Sequence, residues 1–175
     1  MTTATGAPAS TLGAVEGRDE VRWLTPQEND AWVSLSWLLL KLPGAIDAQL
    51  QRDSGLSYFE YVVLASLSMA PGRHMHMSDL AEFANGSLSR LSNVAKRLET
   101  RGLLVRTPCP DNARITVATL TDAGMALVEQ AAPGHVGAVR RYVFDALDAD
   151  QVAQLDRIGR AVADRVEPGK SWPPR

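Results

Sequence analysis

The stretch Ser87-Leu88-Ser89-Arg90-Leu91-Ser92-Asn93-Val94-Ala95-Lys96-Arg97-Leu98-Glu99-Thr100-Arg101-Gly102-Leu103-Leu104-Val105-Arg106-Thr107 decides the fold. Leu91, Val94 and Leu98 recur at helical spacing and form one apolar stripe, and Gly102 stops the helix. Ser89, Arg90, Asn93, Lys96 and Arg97 then fall on the outward face, short polar residues first and cations after. Upstream, Ser78-Asp79 reads as the cap of a short helix through Leu80, Ala81 and Phe83 that stops near Asn85-Gly86. Downstream, Leu103–Thr107 and Ile115–Leu120 are rich in branched residues and read as strands flanking a turn at Pro108–Ala113. Two short helices joined at a glycine and followed by a hairpin have the order of a winged helix-turn-helix.

Charge supports that order. Residues 87–114 hold six basic residues against two acidic ones, a net of +4, which leaves the rest of the chain at −6 and the whole at −2. A near-neutral chain that gathers its positive charge on one helix and one hairpin suits a duplex-binding face, where Asn and Arg meet base edges and Ser, Lys and Arg take phosphate oxygens. On charge alone, a solvated helix face would account for it equally well.

Further out, Thr25-Pro26-Gln27-Glu28 is a capping box with proline at the first helical position. A helix follows through Trp32, Leu35, Leu39, Leu42, Ile46 and Leu50 to about Asp53, with a kink or brief break expected at Pro43-Gly44. Ser57-Tyr58-Phe59-Glu60 is a second capping box, opening a helix that ends before Pro71-Gly72. Thr121-Asp122 starts a long helix whose stripe is expected to pass Pro133 through Val136, Val139, Val143 and Leu147. Asp148 or Asp150 opens the last helix, with Val152, Leu155, Ile158, Val162 and Val166 on one face. Such stripes on the outer helices imply cover by a second copy across a two-fold axis. The expected organisation is a tail over 1–20, a dimerisation helix over 25–54, a winged helix-turn-helix domain over 57–121, dimerisation helices over 122–167 and a second tail over 168–175.

Composition bounds the function. With 175 residues, 45% hydrophobic and 22% charged, one domain with a dimerising extension can bury a core. The single cysteine, Cys109, excludes an intramolecular disulfide framework. The longest apolar run, Tyr61–Ala65, is far short of a membrane span, and neither a basic leader nor an apolar segment opens the chain. A cytoplasmic protein is the consistent expectation.

At this point the chain resembles the multiple-antibiotic-resistance regulator (MarR) family of bacterial transcription factors, from about Trp32 to Val166. The resemblance is carried by Met77-Ser78-Asp79-Leu80-Ala81, by Leu98-Glu99-Thr100-Arg101-Gly102-Leu103-Leu104, by Arg114 and by Leu120-Thr121-Asp122-Ala123-Gly124. It implies that the helix over 88–101 enters the major groove and that Arg114, seven residues before Thr121, reaches a minor groove or its phosphates from the wing tip. Family members usually carry an acid two residues before that arginine; here Asn112 stands there, with Asp111 one residue earlier. The proline-flanked cysteine is similar to a subset common in actinobacteria. Members often bind small aromatic or lipophilic compounds between the dimer helices and the DNA-binding lobe, which makes Trp32, Trp37, Tyr58 and Tyr61, with Phe59, candidate lining residues. Aromatics at helical spacing are equally well explained as core.

Other chemistries find little support. His74-Met75-His76 on a strand would point both rings to one face, but only His135 remains as a further histidine and no metal is expected. Cys109 would be a peroxide sensor if a cation such as Arg106 or Arg114 favoured its thiolate, but between two prolines it reads better as a turn residue. Redox members of the family carry their cysteine near the first helix. No phosphate loop, nucleophile elbow or triad spacing appears, so neither enzyme activity nor a cofactor is expected. The reading is a mainly helical, homodimeric winged-helix repressor that binds an inverted-repeat operator and is released by a small molecule. The alternative is a winged-helix interaction module that binds a protein or lipophilic ligand without DNA.

Overall fold

The computed structural model describes residues 21–169. Both terminal tails expected from the sequence fall largely outside them. The chain divides into two compact units, residues 1–37 and 38–175. Helix α1 spans Pro26–Ser54, α2 Tyr58–Met69, α3 Met77–Phe83, α4 Leu88–Thr100, α5 Asp122–Tyr142 and α6 Ala149–Val166; strands β1 (His74–His76), β2 (Leu104–Cys109) and β3 (Asn112–Leu120) form one sheet.

In the first unit, the start of α1 is set by its own side chains. The Glu28 amide donates to Thr25 Oγ1 at 3.2 Å and the Thr25 amide donates to Glu28 Oε2 at 2.8 Å. Hydrogen bonds from the Thr25 backbone and side chain to the Glu28 carboxyl lower it from its ordinary value. Trp32 and Trp37 are exposed.

The second unit carries the core. Leu50 of α1, Leu64 and Leu67 of α2, Leu80 of α3, Leu91 and Leu98 of α4 and Leu104 of β2 have no exposed surface. α2 is opened by the expected box: Ser57 Oγ accepts from the Glu60 amide at 3.2 Å, and Glu60 Oε2 accepts from the Ser57 amide at 2.9 Å. Asp47 Oδ1 accepts from the Tyr58 amide at 2.7 Å, fixing the end of α1 to the start of α2.

The sheet order is β1-β3-β2, antiparallel throughout. His76 pairs with Val117, and Leu104 with Leu120. α4 ends in a Schellman motif in which the Gly102 amide donates to Glu99 O at 2.9 Å and the Leu103 amide to Leu98 O at 3.0 Å, with Gly102 at φ 72°. Thr121 Oγ1 donates to Gly102 O at 2.7 Å and accepts from the Gly124 amide at 3.0 Å. A side chain on Gly124 would run into the Leu103 carbonyl, so only glycine lets α5 seat against this turn.

Four expectations are corrected. α1 is one continuous helix through Pro43-Gly44, so the brief break is not found; Pro43 is exposed, and the helix lacks one donor there. α3 starts at Met77, not at a Ser78-Asp79 cap, because β1 leads straight into it with His76 as the capping residue and no side-chain bond; Ser78 Oγ instead donates to Asp79 Oδ1 at 2.9 Å. The wing turn is shorter than expected: β2 continues through Pro108 to Cys109, which pairs with Asn112 across a register shift. β2 is an edge strand and Pro108 borders its register shift, both places where a strand tolerates proline. α5 stops at Tyr142, so Val143 and Leu147 lie beyond it; Asp148, not Asp150, caps α6 and accepts from the Gln151 amide at 2.8 Å.

Candidate nucleic-acid interface

α4 presents the interface. Ser87 caps it, accepting at Oγ from the Arg90 amide at 3.2 Å. Leu91, Val94, Ala95 and Leu98 are buried, and Ser89, Arg90, Asn93, Lys96 and Arg97 are all exposed on the other side. The turn before it is a second Schellman motif: Asn85 stands at φ 49° and the Gly86 amide donates to Ala81 O at 2.9 Å. A Cβ on Gly86 would come within 2.7 Å of the Phe59 ring, so the glycine lets α2 close up under the helix-turn-helix.

The cations of this face divide into held and unheld. The Arg97 guanidinium donates to Glu60 Oε1 at 3.3 Å, and Arg90 lies 4.2 Å from the centroid of the Phe59 ring. Burial pushes the Glu60 carboxyl upward, but the Ser57 and Arg97 hydrogen bonds outweigh it and the net shift is downward. Arg106 clasps Glu99 through its guanidinium at 2.7 Å and its amide at 2.9 Å, joining the wing to α4 and lowering the Glu99 carboxyl. The sequence counted Arg106 as a contributor of free charge; the structure makes it a brace. Arg114 has no side-chain partner among the described residues, and its amide donates to Asn112 Oδ1 at 3.1 Å. Asp111 makes no ion pair with it among the described residues.

Two hollows flank α4. A groove of about 980 Å³ is bounded by Asp47 of α1, Tyr58 and Phe59 of α2 and Arg90, Asn93 and Arg97 of α4. A notch of about 250 Å³ lies between α4 and the wing, with Ser78, Leu88, Ser92, Arg114 and Thr116 among its walls. Of the aromatics expected at a ligand seat, Tyr58 and Phe59 line the groove. Tyr61 is buried elsewhere, its ring 4.6 Å from that of His135, whose protonation burial disfavours. Sequence reasoning missed the notch residues Ser78, Leu88 and Ser92; an apolar residue opening an otherwise polar face was the available signal. Among the described residues, no group of three His, Cys, Asp or Glu side chains is placed to hold a metal, and no helix is long and apolar enough to cross a membrane.

A helix-turn-helix with a hairpin folded beside its second helix is a winged helix. The MarR family model matches residues 56–116. Sco3205, a MarR family transcriptional regulator from Streptomyces coelicolor whose crystal structure is in complex with DNA, superposes with TM-score 0.82 at 41% identity, over 87% of this chain and 95% of that one. AbsC, another MarR family transcriptional regulator from Streptomyces coelicolor, gives TM-score 0.78 at 34% identity, over 83% and 98%. A MarR family regulator from Rhodococcus sp. RHA1 gives 0.68 at 25% identity, over 77% and 93%. Curated protein sequences return no match. The chain belongs to the MarR family of transcriptional regulators.

Proposed function

We propose that two copies of this chain bind double-stranded DNA at an inverted-repeat operator and repress transcription until a small molecule releases them. The observation that carries the reading is the outward face of α4, where Ser89, Arg90, Asn93, Lys96 and Arg97 stand exposed opposite a fully buried apolar stripe. Its nearest support in kind is the DNA complex of Sco3205. In a symmetric dimer the two α4 helices would meet successive major grooves about 34 Å apart, with half-sites about 10 base pairs apart. Arg114 reaches the backbone or minor groove from the wing. Dimerisation rests on α6 and on the first half of α1, where Leu155, Ile158 and Val162 of the one and Trp32, Leu35 and Leu39 of the other are exposed in the single chain.

The groove beside α4 is the proposed seat of an aromatic or lipophilic effector, resting on Tyr58 and Phe59. Arg90, Asn93 and Arg97 form its other wall, so an occupant would touch the residues that address DNA and shift the population of DNA-competent chains. Selection of genomic fragments by the purified chain, followed by titration at rising salt, tests the reading. Six to ten phosphate contacts predict a loss of roughly a thousandfold or more in affinity between about 50 and 200 mM salt. A flat response, or a protein partner captured in place of DNA by a chain carrying Arg97→Ala as well as by the unaltered one, favours the interaction module instead.

A further inference from the structure

Leu88 breaks the pattern of α4. Every other exposed residue of that helix is polar or charged, yet Leu88, at the first helical position, is 53% exposed. Among the described residues, half of its surface is left uncovered. It borders the notch whose other walls include the hydroxyls of Ser78, Ser92 and Thr116 and the unpaired guanidinium of Arg114. Met77 and Ile115 also line the notch, but an apolar protein segment would bury the Ser92 and Thr116 hydroxyls and the Arg114 charge without partners, which is unfavourable. A nucleic-acid duplex suits both features: its backbone satisfies Arg114 and the hydroxyls, and its major groove offers one apolar group, the C5-methyl of thymine. In helix-turn-helix docking, the N-terminal residues of the second helix lie against the base edges. Leu88 is the first of them, and about half of its surface is open.

We infer that Leu88 is a specificity-determining residue that packs on a thymine methyl in each half-site. The inference rests on the DNA-binding reading and adds to it one base preference set by an apolar contact. Burying one methyl-sized group is worth about a fourfold change in affinity.

The test uses the full-length chain and a duplex that it selects from a random pool, resynthesised with deoxyuridine replacing each thymidine in turn, which removes the methyl group alone. The expected result is one position per half-site at which deoxyuridine weakens binding about fourfold. There Leu88→Ala binds both duplexes equally, while Leu88→Val keeps part of the discrimination. Leu88 is exposed, so both variants melt with the unaltered chain. The proposal is overturned if no thymidine shows a penalty, if Leu88→Ala keeps every penalty, or if Leu88→Ala, still folded, loses all duplex binding. A chain that selects no duplex refutes the DNA-binding reading itself, which is a separate outcome.

Discussion

α4 and α6 are both amphipathic, and a side chain caps each at its N-terminus, but their apolar stripes meet different fates. In α4, Leu91, Val94, Ala95 and Leu98 are buried within the chain. In α6 no residue is buried, and Leu155, Ile158, Val162 and Val166 are all exposed, Ile158 at 60%. The first stripe closes the core of a winged helix; the second is left uncovered among the described residues. Contiguous exposed apolar stripes of this kind mark interaction sites in soluble proteins. The difference separates what one copy needs in order to fold from what two copies need in order to act.

The comparison breaks most visibly in the core. Leu98→Ala should destabilise the chain by about 2–5 kcal/mol, read as a lower urea midpoint with binding and folding lost together. Ile158→Asp should act differently: the chain stays folded, its midpoint loses its dependence on protein concentration, and sedimentation shows single copies. Operator affinity then falls on the order of a hundredfold, because the second half-site no longer gains from the first. A dimer that persists with Ile158→Asp contradicts the role given to α6. Arg114→Ala sharpens the contrast within the DNA face. It should leave stability unchanged, weaken binding to all sequences alike and reduce the salt slope by about one per chain. An unchanged slope removes Arg114 from the interface.

The smallest effect concerns pH. Glu60 and Glu99 are held below their ordinary carboxyl value by hydrogen bonds that include Arg97 and Arg106 respectively. A lowered folded-state value means their stabilisation is complete above the unfolded value near 4.5 and is lost as pH falls through the lower folded value. Glu99→Gln should therefore reduce stability modestly at neutral pH and flatten the acid limb of a melting-temperature profile below about pH 4.5. If the profile keeps its acid limb unchanged, the Arg106 clasp is not the source.

The order of elements was legible because local signals agreed with the tertiary result. The Ser57–Glu60 box, the Leu91-Val94-Leu98 stripe and the Gly102 stop each recur in the structure at the expected residues. Boundaries set by long-range pairing were not. β1 pairs with β3 some forty residues away, and that pairing, rather than a serine cap, sets the start of α3. Edge position carries Pro108 and Cys109 into β2, making Cys109 a half-buried strand residue and not part of a turn. Pattern alone also gave every cation on the 87–114 segment equal standing. Only packing distinguishes Arg106 and Arg97, which hold carboxylates, from Arg114, whose side chain has no partner among the described residues.

The central claim is that a pair of these chains, joined through faces left bare in one copy, lays two α4 helices on a single duplex. Sedimentation equilibrium of the purified chain with a duplex of its own selection weighs that claim directly. The account predicts a complex of two chains on one inverted-repeat duplex at low salt that dissociates steeply as salt is raised. One chain per duplex, or a mass equal to that of the free protein, would contradict it.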